Sequence, residues 1–208
     1  MKYDMTCKVF SIVFSKLLKQ YYVANIKDVD IDKVIKDIKK EYKAMILRTP
    51  GLSKDNNMAG NLKGAAYFFA IAKKMPNMTP ELMDKIVNDC MYSPLMVKMK
   101  AKGKEKGALF TEKYQDKMYK DSLRSQKSND EMDWKYTFEK GHDEYRYNIT
   151  KCGVCRLAER ENLLDYLPCM CHMDYPKYDV QGADLDRTKT LADGDDCCNF
   201  HLIRQKTK

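Results

Sequence analysis

The stretch Trp134–Lys151, "WKYTFEKGHDEYRYNITK", changes the period of the chain. Trp134, Tyr136 and Phe138 alternate with polar residues, "EKGHD" interrupts, and Tyr145, Tyr147 and Ile149 alternate again. A period of two marks a strand with one buried face, and a Gly-containing break between two such runs predicts a hairpin. Both apolar sets can face one way, toward a covering layer of helices.

Upstream the period is helical. Phe10, Val13, Phe14, Leu17 and Tyr21 recur at threes and fours, as do Ile31, Val34, Ile35, Ile38, Tyr42, Met45 and Ile46, with a break expected over 25–30. A polar loop, "RTPGLSKDNNMAGN", leads to a third helix around "LKGAAYFFAIAKKM", where Gly64, Ala65 and Ala66 allow close approach of a neighbour. Thr79-Pro80-Glu81 reads as a helix start: a hydroxyl cap, a proline in the first turn, a carboxylate against the dipole. Leu82, Ile86 and Cys90 follow at helical spacing, and Cys90, like Cys7, reads as a small buried hydrophobe. Another helix is expected from Thr111, before the polar stretch "SQKSNDEMD".

Downstream, a helix is expected over 152–163 with Val154, Leu157 and Ala158 inward, and a short one opened by Pro168 and running to about Asp174. "ADLDRTKTLADGDDCCNFHLIRQK" reads as a second hairpin around Ala192–Asp195. The layout predicts an α+β fold: an N-terminal helical region, 1–130, packed on a C-terminal antiparallel sheet of about four strands with inserted helices, 131–208, as one compact unit.

The 208 residues suffice for a proper core without cross-links. The net charge of +8 comes from 38 basic against 30 acidic residues, spread along helical segments rather than gathered in a tail. The densest cluster, "KMKAKGKEKG" at 98–107, holds no aromatic that could stack on a base and reads as a solvated loop or helix end, so no nucleic-acid partner is expected. No run approaches the ~18 apolar residues that span a membrane. The N-terminus has too short an uncharged run for a secretion signal, so a reducing, cytoplasmic setting is expected, in which the eight cysteines act as thiols, ligands or nucleophiles.

Four of those cysteines lie in "CGVCRLAERENLLDYLPCMCHMD", 152–174, and Cys197-Cys198 follow. Cys152-x-x-Cys155 has the spacing of a zinc half-site, with Cys169-x-Cys171 or Cys171-His172 as a second half, but it opens a helix instead of a tight knuckle. The same pair could serve thiol–disulfide chemistry, although no parallel βαβ unit surrounds it. In a third arrangement, Cys171 and Asp174 share a helical face, and Cys152 sits where a strand ends and a helix dipole favours a thiolate. Cys198 shares a strand face with Phe200 and Leu202, opposite Asn199 and His201. The bland alternative is that the cysteines fill core space.

Lys151 and Cys152, Cys171 and Asp174, Arg187, Thr188, Thr190, Leu191, Ala192 and Gly194, then Cys198 and Phe200, form a signature over 151–201. It resembles the C-terminal signature of the L-2-amino-thiazoline-4-carboxylic acid hydrolase family. Asn199 stands where that pattern has Asp, and His201 where Arg is common. The Gly194-to-Cys198 ending is also similar to vinyl-reductase-type small-molecule-binding domains, but Thr190 stands where those have a further Cys.

The family resemblance implies ring opening of a cyclic isothiourea to a carbamoyl-cysteine, with a small-molecule substrate; no cofactor and no metal are expected, and a homo-oligomer is left open. On that resemblance, Cys171 is the nucleophile and Asp174 the acid/base or amidinium partner, with Cys152 the second candidate nucleophile. Arg187 would bind the substrate carboxylate, and Thr190 and Cys198 would line the pocket. A non-catalytic binding domain of the same fold and a zinc-stabilised interaction domain are the alternatives. His142 and His172 lie off the signature, and His201 is expected at the surface or an interface.

Overall fold

The structure, a computed structural model, describes residues 1–25 and 30–206. Helix α1 is Met5–Asn25; the break expected after it lies mostly outside the described residues. Helix α2, Ile31–Arg48, starts on Asp30, whose carboxylate accepts the Lys33 N–H, and buries Ile35, Ile38, Tyr42, Met45 and Ile46, most of the predicted stripe. Helix α3, Ala59–Lys74, is apolar all round and buried from Gly64 through Ile71, with α1 and α2 packed on it. Helix α4, Pro80–Met91, begins as predicted, with Thr79 Oγ1 accepting from the Leu82 N–H at 3.2 Å.

The lysine-rich run, expected as a loop or a helix end, is helical as far as Glu105. It forms most of helix α5, Pro94–Glu105, which begins at Ser93-Pro94 with the serine hydroxyl accepting from Met96. The start signal matched that of α4, but the dense like charge masked it. Helix α6, Glu112–Lys127, is capped by Thr111.

Strands β1, Lys135–Glu139, and β2, Glu144–Lys151, form the predicted hairpin. With β3, Ala183–Asp186, and β4, Cys198–Arg204, they make one antiparallel sheet in the order β1-β2-β4-β3. Its inner row pairs Ile149 with Cys198, Tyr147 with Phe200 and Tyr145 with Leu202. The Tyr147 and Phe200 rings stack at 4.3 Å between centroids. Edge strand β1 is covered by α6, where Ser125 accepts the Tyr136 N–H and Gln126 donates to the Tyr136 carbonyl, so this edge does not stand open for pairing.

Between β2 and β3 lie α7, Gly153–Glu161, α8, Leu167–His172, and α9, Asp174–Asp179. β3 and β4 do pair, but they are joined by a broad connection, 187–197, in place of a tight hairpin turn. One apolar cluster runs from the helices into the inner sheet face. No helix among the described residues is long and apolar enough to cross a membrane.

Two polar clamps hold the site-bearing segment. At the end of α7, Glu161 accepts from Arg48 of α2 and Lys73 of α3, so the C-terminus of α7 is tied to the helical layer. Ahead of β1, Asp133 (side chain 1% exposed) accepts from both terminal guanidinium nitrogens of Arg124, at 2.6 and 3.1 Å, from Asn56 and from the Trp134 N–H. Asp133→Ala leaves these donors without their acceptor and is expected to lower unfolding stability by about 3 kcal/mol, read as a shift in the urea midpoint. Burial raises the Asp133 pKa, but Arg124 and the other donors outweigh it and hold the carboxyl below its ordinary value. The carboxyl's contribution is therefore complete above the unfolded-state pKa and is lost as pH falls through the lower folded value. The variant should show a shallower acid limb.

Candidate active site

The sheet order gathers the chemistry. Because β2 and β4 are antiparallel neighbours, the end of β2 and the start of β4 meet at one end of the sheet, which brings Cys152 toward Cys198. The α8–α9 segment supplies Cys171 and Asp174 on either side of Met173, and the chain leaving β3 supplies Arg187. Cys152, Cys171, Cys198, Asp174 and Arg187 are close enough to perturb one another electrostatically, and Cys155 interacts with the three other sulfurs.

Cys152 is the N-cap residue of α7, in extended conformation and half-buried. No full capping hydrogen bond reaches its sulfur. The Cys155 thiol beside it, together with the Cys155 and Val154 N–H dipoles, nevertheless outweighs burial and holds the Cys152 thiol below its ordinary value. Cys155 moves the opposite way: proximity to the Cys152 sulfur and burial push it far up. Burial and the Asp174 carboxylate raise Cys171 well above the ordinary range, with Arg187 opposing. Burial pushes Cys198 to about 11, although its sulfur accepts the Leu191 N–H at 3.2 Å. Cys152 is thus the acidified thiol of the cluster. Its alkylation rate should rise with pH about a midpoint below that of an ordinary cysteine, and that of Cys171 about a midpoint above it. Mass-resolved iodoacetamide labelling across pH 5–10 checks both, with an ordinary midpoint near ~8.5.

Asp174 sits between two cations. Arg187 Nη1 donates to its Oδ2 at 3.1 Å, and Lys177 Nζ to its Oδ1 at 3.1 Å. Arg187 also donates to the Cys171 carbonyl at 2.8 Å and lies between the Tyr175 and Phe200 rings, 5.1 and 4.9 Å from their centroids. Its side chain is 1% exposed, and its buried Nε has no partner among the described residues. Lys177, 4.9 Å from the Tyr178 centroid, is more open. Burial acts to lower the Lys177 pKa, but Tyr178 and Asp174 outweigh it and the net shift is upward. The Tyr147 and Tyr178 hydroxyls meet at 2.7 Å close to this group.

Thr190 builds the loop. Its N–H binds Asp195 Oδ2, and its hydroxyl donates to Asp193 Oδ2 while accepting the Asp193 N–H. Asn199 accepts from the Thr188 and Lys189 N–H groups and donates to Thr188 Oγ1 at 2.9 Å, a donation that an ionised Asp could not make. The three histidines pair with acids elsewhere: His142 with Asp143, His172 with Asp84, His201 with Glu144. Lys177 and the Tyr147–Tyr178 pair escaped the sequence reading. The Asp174–Lys177 spacing of three was the available signal.

A surface hollow of about 260 Å³ lies between α4 and the α8–α9 segment, lined by Asp84, His172 and Met173 among others. A second, of about 250 Å³, lies beside α5. Neither is lined by the clustered cysteines, which meet solvent through half-buried Cys152, Cys155 and Cys171. Among the described residues no group of three or more His, Cys, Asp or Glu is arranged to hold a metal ion.

Helices on an antiparallel sheet, with thiols, an aspartate and a buried arginine at one sheet end, define an α+β protein with a thiol- and carboxylate-bearing site. The family described as L-2-amino-thiazoline-4-carboxylic acid hydrolase matches residues 60–202, and the chain belongs to that family. The match runs from α3 through β4, well beyond the C-terminal signature, so much of the helical layer is shared as well. No curated protein and no solved structure matches the chain.

Proposed function

We propose that this hydrolase opens a small cyclic isothiourea of the 2-aminothiazoline-4-carboxylate type through the Cys152 thiolate. The observation that carries the reading is the position of Cys152 as the N-cap of α7, within electrostatic reach of Asp174, which Arg187 holds at 3.1 Å. The substrate's reacting carbon is bonded to sulfur and two nitrogens and is electrophilic when protonated, so it needs an ionised nucleophile and a group that stabilises the cation. The Cys152 thiolate adds to that carbon, a ring heteroatom leaves with a proton, and water then releases the carbamoyl product and the thiolate. Asp174 is the amidinium partner. The buried Nε of Arg187, without a partner among the described residues, is the donor assigned to the substrate carboxylate. Cys171 and Cys198 line the site, and Thr190 shapes the loop over it.

A second reading, a non-catalytic binding domain, is favoured by the placement of both hollows away from the sulfurs. Two measurements on the purified protein separate them: loss of the thiazoline ring, and alkylation rates of individual cysteines. The hydrolase reading expects turnover, with Cys152 labelled far faster than Cys7 or Cys90 and protected by substrate. Binding without turnover, and uniformly slow labelling, would leave the binding domain.

A further inference from the structure

We propose that Cys152 and Cys155 form a reversible disulfide on exposure to a peroxide, which makes the start of α7 an oxidation site. The inference goes beyond hydrolysis; only its consequence for turnover rests on Cys152 being the nucleophile.

The geometry carries it. Cys152 caps α7 and Cys155 follows three residues later in its first turn. A helical turn makes such residues neighbours, and the Cα separation that a disulfide spans, about 4.4–6.8 Å, accommodates that spacing. Cys152 has extended φ and ψ, −119° and 125°, and joins the helix through its carbonyl, which accepts the Arg156 N–H at 3.2 Å, so its side chain can turn without unwinding α7. Both residues are half-buried, whereas Cys7, Cys90, Cys169 and Cys198 are buried. The other half-buried thiols, Cys171 and Cys197, each lie next to a carboxylate that disfavours the thiolate.

The two thiols are unlike, as a two-step oxidation requires. The Cys152 thiolate attacks one peroxide oxygen; the O–O bond breaks, hydroxide leaves, and a sulfenic acid forms. Cys152 then carries no negative charge, so the neighbour that kept Cys155 protonated is gone. Cys155 loses its proton and attacks the Cys152 sulfur, expelling hydroxide. In sum, two thiols and one hydrogen peroxide give one disulfide and two waters, the sulfurs being oxidised and the peroxide reduced. A dithiol reductant reverses it by thiol exchange. While the bridge stands, Cys152 has no free sulfur with which to attack substrate.

The test uses the full chain, one equivalent of hydrogen peroxide at pH 7, blocking with iodoacetamide and digestion with trypsin. Cleavage after Lys151 and Arg156 releases Cys152–Arg156, which holds both thiols and no other cysteine. The expected result is this peptide unalkylated and lighter by two hydrogens, formed about tenfold faster than Cys171 loses its thiol. Dithiothreitol should return it to the doubly alkylated form. In Cys155→Ser the same treatment should leave a sulfenic acid at Cys152, trapped by dimedone. Recovery of the wild-type peptide with two alkyl groups, or joined to a peptide carrying Cys171 or Cys198, overturns the proposal. These readouts are masses, so they stand even if ring opening is never observed.

Discussion

Cys152→Ala is expected to lower kcat/KM for ring opening by on the order of 10³–10⁶-fold, with the fold intact. Removing a covalent nucleophile takes away the step itself, and losses of this size follow when the group acts as part of a unit. Cys171→Ala should be much milder, because burial and Asp174 keep that thiol protonated. Cys152 is half-buried and makes no capping hydrogen bond, so its truncation costs little stability. Matched thermal unfolding curves for wild type and variant would show that lost activity is not lost folding. If Cys171→Ala proved the inactive variant while Cys152→Ala turned over normally, the two roles would be exchanged.

The second large effect comes from a residue with no side chain. Gly153 is the first residue of α7, and an added Cβ would overlap the Met132 carbonyl oxygen and lie 2.9 Å from the Trp134 ring. Alanine ordinarily favours a helix over glycine by up to about 1 kcal/mol. Here the obstacle is backbone held by the Asp133 clamp, and overpacking against it costs typically about 1–3 kcal/mol, so destabilisation wins. The start of α7 must move, and Cys152 moves with it. A displacement of about 1 Å at a reacting atom costs on the order of 100-fold in rate. Gly153→Ala should therefore lower both the melting temperature and kcat, and shift the emission of Trp134, the one tryptophan of the chain. Gly60→Ala, in α3 with open space around the added methyl, should be neutral or stabilising. Equal behaviour of the two variants would remove the packing argument.

Much of the fold was legible because periodicity survives without context. The change from helical to alternating period at Trp134 marked the hairpin, and Thr79-Pro80 and Thr111 marked helix starts that the chain uses. Where the reading faltered, a local signal met a competing one. The charge of 98–107 hid a helix begun at Ser93-Pro94, and the Ala192–Asp195 turn residues sit within a connection much broader than a hairpin turn. The family signature named the candidate site residues but not their surroundings. Arg187 and Thr190 bind neighbouring groups of the protein, and Lys177 stands on Asp174 at a position the signature does not mark.

The sequence by itself determined the element types, the α+β class and the set of cysteines at stake, since these depend on residues a few positions apart. Only the tertiary structure decided how deeply each sulfur is buried and which residues distant in the chain stand around it. The Cys155 thiol and two N–H groups at Cys152, and Asp174 beside Cys171, lie within three residues of the sulfur they act on, but burial and the approach of Arg187 and Cys198 do not follow from such spacing. Cys152, Cys198, the Cys171–Asp174 pair and Arg187 come from the end of β2, the start of β4, the α8–α9 segment and the chain after β3, brought together by a strand order that no local pattern specifies.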